Sequence, residues 1–401
     1  MSKYKINTPI FFIIIRNIFV GLAVFALLFA VVVFISVEQW ASKEEGKLPV
    51  KTAVILHAVN ENLVPLDIEI PNFVRSSGGR STMVREHINI PVRDGSTIAG
   101  KVYRPNGDGP YPIIMYYHGG AFLEGYGSID THENIVRALA ARTQSIVVAV
   151  GYRVAPKHVF PTAIEDGYDA LLWVYDKADE WNGDVGKIAV AGDSSGGNIA
   201  TVVATLSRDE DGPELTAQVL FYPLTTFQDV ALPSRTVYDS GYYLLSRSVM
   251  YLARDKYTPD QEMWSSPYTS PLEAEDLSGL PPTLIITAEF DPLRDEGEAY
   301  GKRLNEFGVP VETYRYKGVM HGFISFYEVM YRGNHGLQQS VHYLRNAFHE
   351  EIAYEEYSVK VIDIQDGKET LRDQLEAYAM AGFLIGRQAF SMLPTQYTII
   401  K

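Results

Sequence analysis

The segment Gly192-Asp193-Ser194-Ser195-Gly196, continued by Gly197, sets a serine between glycines two residues to either side. A serine hydroxyl is a weak nucleophile until a neighbouring base takes its proton. The apolar run Lys187–Ala191 before it reads as a strand, and Gly196–Arg208 after it reads as a helix. A G-x-S-x-G pattern between a strand and a helix is the setting of a nucleophile elbow. The turn is tight enough that small residues must flank the serine, whose hydroxyl then stands above the sheet. The N-terminus of the following helix favours negative charge developing there. The spacing selects Ser194 over Ser195. A small-residue packing turn is the competing reading, and the strand before and helix after disfavour it.

The base and its orienting acid should follow later in the chain, in the order serine, acid, histidine. Of the histidines after Ser194, His335, His342 and His349 recur every seven residues on or beside one helical stretch, which reads as a solvated face. His321 instead stands in Gly318-Val319-Met320-His321-Gly322-Phe323, a loop just after a strand. Asp291, in Glu289-Phe290-Asp291-Pro292-Leu293, also follows a strand, with Glu289 and Asp295 as rival acids. Upstream, Tyr117-His118-Gly119-Gly120-Ala121-Phe122 leaves an apolar strand through glycines. The N–H groups of Gly119 and Gly120, together with that of Ser195, are the expected oxyanion hole.

These residues need a scaffold that ends strands beside one another. Strands are expected at His87–Val92, Ile98–Arg104, Ile113–Tyr117, Ser145–Gly151, Lys187–Ala191, Ala217–Tyr222, Thr283–Thr287 and Val311–Tyr316. The first two flank Arg93-Asp94-Gly95-Ser96, a hairpin signal. Most of the others are apolar on both faces, as in a sheet covered by helices on both sides. Helices are expected at Thr131–Arg142, Thr162–Lys177, Gly196–Arg208, Arg294–Phe307 and Gly336–Glu350. The alternation implies an α/β class: a doubly wound, mostly parallel sheet of eight strands, with ligands beyond the strands' carboxyl ends. Asp229–Met263, with Tyr238, Tyr242, Tyr243 and Tyr251, breaks the alternation and is a candidate cap.

The formal net charge of −14 argues against nucleic acid, which needs a basic stripe, and suits a neutral substrate. The absence of cysteine excludes a thiol nucleophile, thiolate metal sites and disulfides. The expected chemistry uses no metal and no cofactor. Near the N-terminus, Asn17–Val37 carries no charge. At about 1.5 Å per residue it spans roughly 31 Å, about the thickness of a bilayer core. Lys3, Lys5 and Arg16 precede it, and Glu38, Glu44 and Glu45 follow. The positive-inside rule places the N-terminus in the cytoplasm and the body on the other side. A cleaved signal peptide is the rival, but the run is long and Val37-Glu38-Gln39-Trp40 is a poor cleavage site.

From about Arg85 to Glu350 the chain resembles the hormone-sensitive-lipase-like family of carboxylesterases, which includes arylacetamide deacetylase. That family's HGGG appears as His118-Gly119-Gly120-Ala121, its GDSAGG as Gly192–Gly197 with Ser195 for alanine, and its DPLRDEG intact as Asp291–Gly297. His321-Gly322-Phe323, Tyr152–Lys157 and Phe160-Pro161-Thr162 match further stretches, with Lys157 for a glutamate. The resemblance implies an α/β-hydrolase fold and hydrolysis of short or medium acyl esters without a cofactor. It also implies a cap built from the segment before the sheet plus a late insertion. Ala121 in place of a third glycine counts against tertiary-alcohol esters. An amide hydrolase with the same triad and a silent binding scaffold are the other readings; the second predicts a missing triad member, and none is missing. The expected organisation is an anchor at 1–42, a cap or linker segment at 43–85, the catalytic domain at 86–350 with its insertion near 229–263, and an extension at 351–401. In the extension, Tyr357–Ile364 reads as a strand and Glu369–Met392 as a helix. That helix is expected to pack on the body, with a membrane surface or a second copy in a homodimer as the other partners.

Overall fold

The computed structural model describes residues 8–63, 83–364 and 367–391. The chain forms two compact units, residues 67–364 and residues 1–66 with 365–401. The larger unit is built on strands β1 (Met83–Pro91), β2 (Thr97–Pro105), β3 (Tyr111–Tyr117), β4 (Ile146–Gly151), β5 (Gly183–Asp193), β6 (Ala217–Phe221), β7 (Thr283–Phe290), β8 (Val311–Met320) and β9 (Val359–Ile362). They lie in one sheet in the order β9-β8-β7-β6-β5-β3-β4-β2-β1. The β1–β2 and β2–β4 pairs are antiparallel and all others parallel. The sheet therefore has nine strands, not eight. The ninth belongs to the C-terminal extension and pairs with β8. It is short, carries Lys360 at its centre and leaves Val361 exposed, so its side chains give little sign of a strand joined to a large sheet.

Helices α1 (Glu133–Thr143), α2 (Thr162–Lys177), α3 (Ser195–Asp209), α4 (Pro233–Val237), α5 (Arg247–Tyr257), α6 (Arg294–Glu306) and α7 (Tyr331–Ala347) connect or cover these strands. The runs Ile113–Tyr117 and Ile146–Val150 are buried throughout, as expected of strands with helices over both faces. The β1–β2 turn forms at the anticipated place. Gly95 takes a φ of 82° there, and Asp94 accepts the Ser96 N–H at 2.9 Å. The expected cap region holds α4 and α5, between β6 and β7.

Register decides which loops meet. Tyr117 of β3 lies level with Gly192 of β5, so the loop after β3 and the turn after β5 leave the sheet side by side. Phe290 of β7 lies level with Met320 of β8, which brings the next residues, Asp291 and His321, together.

The smaller unit is mostly helical, with a short antiparallel pair of Ser42–Lys43 and Gly46–Lys47. An N-terminal helix, Thr8–Ala41, includes the uncharged run and continues past it. Among the described residues it is the one helix long and apolar enough to cross a membrane. Phe19, Leu22, Phe25 and Leu28 on it are exposed, whereas Val33 and Val37 are buried with Val54, Ala58, Ala377 and Leu384. The helix Val50–Asn60 gave no periodic signal, because Ala53–Leu56 is buried on every side. The C-terminal helix, Gly367–Ser391, packs on these two. Lys51 holds it through Asp373 at 2.9 Å and Glu376 at 2.5 Å. The expected segments 43–85 and 351–401 are thus each divided between the two units; residues 64–82 of the first lie outside the described residues.

One guanidinium ties three pieces of the larger unit. Arg153, after β4, pairs with fully buried Asp166 on α2 at 2.6 Å and with Asp94 of the β1–β2 turn at 2.6 Å. Asp166 also accepts the Arg153 N–H at 2.9 Å. Asp166→Ala leaves a largely buried cation without its main partner and should cost about 3 kcal/mol. In a thermal melt this should appear as a Tm fall of roughly 5–10 °C. A fall below about 2 °C would show that the Asp94 contact alone holds the arginine.

Candidate active site

The nucleophile turn is held open by backbone that comes too close for any side chain. A Cβ on Gly192 would collide with the Gly196 carbonyl, and one on Gly196 with the carbonyls of Tyr117 and His118. Between them Ser194 has a φ of 54° and a ψ of −119°, a left-handed conformation that costs a non-glycine residue about 1–3 kcal/mol. Its N–H donates to the Phe221 carbonyl at 2.9 Å, and its carbonyl accepts from Leu224 at 3.2 Å. The strained residue is therefore held by β6 as well as by β5.

Three expected residues form one row. The Ser194 hydroxyl donates to His321 Nε2 at 3.1 Å, and His321 Nδ1–H donates to Asp291 Oδ2 at 2.8 Å. Asp291 is fully buried, and its other oxygen accepts the Leu293 N–H at 2.8 Å. With both oxygens engaged, the carboxylate cannot swing away from the imidazole. The rival acids are occupied elsewhere: Glu289 accepts the Gly318 N–H at 2.7 Å, and Asp295 pairs with Arg294 at 2.8 Å. Of the other histidines, His335 hydrogen-bonds Tyr316 at 2.8 Å and His342 meets Asn346 at 3.2 Å.

The glycine loop requires one correction. Gly119 is not free to serve as an oxyanion donor, because its N–H donates to Asp193 Oδ1 at 2.9 Å. Among the described hydrogen bonds, the N–H groups of Gly120 and Ala121 have no protein acceptor. Gly120 adopts a φ of 138°, and a Cβ there would meet the Gly127 nitrogen at 2.8 Å. Ala121, where the resembling family has glycine, takes a φ of 55° and lines the cleft beside Ser194. Ser195 opens α3, where an N–H has no partner within the helix. The N–H groups of Gly120, Ala121 and Ser195 are thus the ones near Ser194 left without a backbone or side-chain acceptor among the described hydrogen bonds.

A cleft opens beside Ser194, with Leu224, Phe227, Leu245, Met250 and Leu293 among its apolar walls. Several of these come from the region between β6 and β7. Tyr251 lines the cleft, while Tyr238 and Tyr243 pack on Phe290 at 5.7 and 5.4 Å. Tyr242 meets Tyr243 edge-on at 5.4 Å, so the four tyrosines divide between lining and packing. Arg235 also lines the cleft. It pairs with buried Glu296 at 2.5 Å and donates to the carbonyls of Thr226 and Gln228 at 2.7 and 2.8 Å, which fixes that wall. Burial pushes the Glu296 carboxyl up, against the pull of Arg235.

Sequence reasoning did not single out Asp193, His132 or Tyr116. Asp193 lies inside the elbow motif at a position the pattern leaves open, and nothing in the residue order pairs it with His132. Burial opposes charge on both, yet each favours the other's charged form: Asp193 is held below the usual carboxylate range and His132 above the usual imidazole range. His118, buried and facing His132, is pushed down to about 4.

Residues 114–325 match the profile of a family described as alpha/beta hydrolase fold. Carboxylesterase NlhH of Mycobacterium tuberculosis is 42% identical over 241 residues, which is 59% of this chain and 74% of that protein. An arylesterase of Saccharolobus solfataricus is 40% identical over 239 residues, 60% of this chain and 74% of the relative. Among solved structures, an esterase of Pyrobaculum calidifontis superposes with a TM-score of 0.64 at 40% identity, covering 73% of this chain and 91% of that one.

Gly196→Ala should disable the site without touching a reacting group. Its methyl must displace the Tyr117 and His118 carbonyls at the root of the glycine loop. Soluble yield or Tm should fall together with ester turnover; a variant that keeps both would show that the turn has room the backbone contacts deny. The chain belongs to the α/β-hydrolases, in the hormone-sensitive-lipase-like family of carboxylesterases that its motifs resemble.

Proposed function

We propose that this chain, a member of that family, is a serine carboxylesterase that hydrolyses short- to medium-chain neutral esters through an acyl-enzyme. The observation that carries this reading is the hydrogen-bonded row Asp291–His321–Ser194 at the mouth of an apolar cleft. His321 takes the Ser194 proton as Oγ attacks the ester carbonyl. Asp291 holds the tautomer with the proton on Nδ1 and stabilises the imidazolium that forms. The N–H groups of Gly120, Ala121 and Ser195 receive the oxyanion. His321 then protonates the leaving alcohol and activates the water that releases the acid. The cleft walls favour an apolar acyl or alcohol group of limited size. The Ala121 methyl occupies space beside Ser194 that a glycine would leave to substrate, which disfavours esters of tertiary alcohols.

With p-nitrophenyl esters from acetate to laurate, the full-length chain should turn over the short and medium esters fastest. Ser194→Ala should lose on the order of 10⁶ in kcat. Turnover surviving in that variant would remove Ser194 as the nucleophile.

The same proposal includes a single-pass anchor, with the N-terminus cytoplasmic and the larger unit on the other side. It is supported by the length of the N-terminal helix, its exposed apolar side chains and the lysines and arginine that precede its uncharged run. Expressed in cells, the chain should stay in the membrane pellet after alkaline carbonate washing. Recovery of an intact chain in the supernatant would eliminate the anchor.

A further inference from the structure

Behind the oxyanion loop lies a second histidine–carboxylate pair that the catalytic row does not use. The Asp193 side chain is 5% exposed. Its Oδ1 accepts from the Tyr116 hydroxyl at 2.7 Å and from the Gly119 N–H at 2.9 Å; its Oδ2 faces His132 Nε2 at 3.2 Å. His132 Nδ1 lies 3.0 Å from the Ser128 carbonyl and 2.9 Å from Thr131 Oγ1. Acceptors thus stand on both sides of the ring, which suits an imidazolium. The histidine cannot drift, because Asp130 and Glu133 on either side of it both engage Lys101, a buried side chain of β2. His118 faces the pair with ring centroids 5.7 Å apart, and burial keeps it neutral, so it adds no competing charge. A carboxylate left unpaired here, one residue from the nucleophile, would oppose the negative charge of the oxyanion and would be drawn away from the Gly119 N–H towards any other cation.

We propose that His132 is a positioning residue for ester hydrolysis. By donating to Asp193 it neutralises and holds the carboxylate that grips Gly119, and so fixes the Gly120 and Ala121 donors where the oxyanion forms. This rests on Ser194 being the nucleophile. The test uses the full-length chain with His132→Ala and His132→Gln, each alone and with Asp193→Asn, measured on p-nitrophenyl acetate and on inhibition by a trifluoromethyl ketone that mimics the tetrahedral intermediate. His132→Ala should lower kcat by about tenfold or more, less than loss of a direct donor, and weaken the ketone in parallel. KM should stay within about threefold. His132→Gln, which keeps an N–H for Asp193, should recover most of kcat. In the Asp193→Asn background, with no charge left to neutralise, His132→Ala should cost less than about threefold. The proposal is overturned if His132→Ala keeps wild-type kcat, if its loss is equally large in the Asp193→Asn background, or if KM rises while kcat holds. Should the alanine variant not fold, His132→Leu fills the space without a donor and gives the same reading. Turnover by Ser194→Ala would instead overturn the nucleophile assignment itself.

Discussion

The left-handed turn at Ser194 is the constraint around which the larger unit is arranged. A serine at a φ of 54° is held against its own preference, so the surroundings must over-determine it. They do so through close backbone contacts: Gly192 against Gly196, Gly196 against Tyr117 and His118, and the Ser194 N–H against Phe221 of β6. The same contacts explain why the strand before the turn pairs on one side with the strand that carries the glycine loop. Once that turn forms, the hydroxyl, the start of α3 and the Gly120–Ala121 backbone face one small volume.

Around this turn the protein buries charge, and buries it in pairs. Asp193 with His132 and Glu296 with Arg235 join segments 61 residues apart, and Asp166 with Arg153 joins α2 to the chain just after β4. Such pairs gain little net stability over well-packed apolar residues, because desolvation offsets most of the attraction. They do impose geometry, since a buried charge that leaves its partner is strongly penalised. Each pair here holds a segment that borders the cleft or anchors the helix layer: the glycine loop, the Thr226–Gln228 wall, and the junction of α2 with the β1–β2 turn.

The helical unit follows different rules. Its N-terminal helix leaves large apolar side chains exposed along much of its length, which water would penalise and lipid would not. One face of its second half, with Val33 and Val37, packs against two further helices, one from just after it and one near the C-terminus. Lys51, itself buried, joins those two helices through the partly exposed carboxylates of Asp373 and Glu376. The first and last segments of the chain thus complete one small core, and the sheet-bearing unit lies between them in sequence.

Local chemistry was legible in the residue order. The elbow motif, the strand before it and the helix after it are recognisable from patterns a few residues long, as are the Asp94-Gly95 turn and the alternation that defines the sheet class. Ser194, Asp291 and His321 were identifiable because each sits directly after a strand, and parallel strands deliver their carboxyl ends to one edge. What residue order does not encode is which atoms remain free once the chain has closed. Gly119 looks as available as Gly120 until the Asp193 carboxylate arrives from β5 and takes its N–H. Ala121 reads as a departure from a glycine motif until its φ of 55° places it in the cleft wall. The strand read at Tyr357–Ile364 was not expected to join the large sheet, and the helix Val50–Asn60 was not expected at all, for a related reason. Their partners are distant in sequence, the strand through its pairing with β8 and the helix through burial on several sides, so neither carries the periodicity that a one-sided surface imprints on a sequence. Spacing set the roles available to each residue, and tertiary contacts decided which hydrogen-bond donors and charges were already engaged.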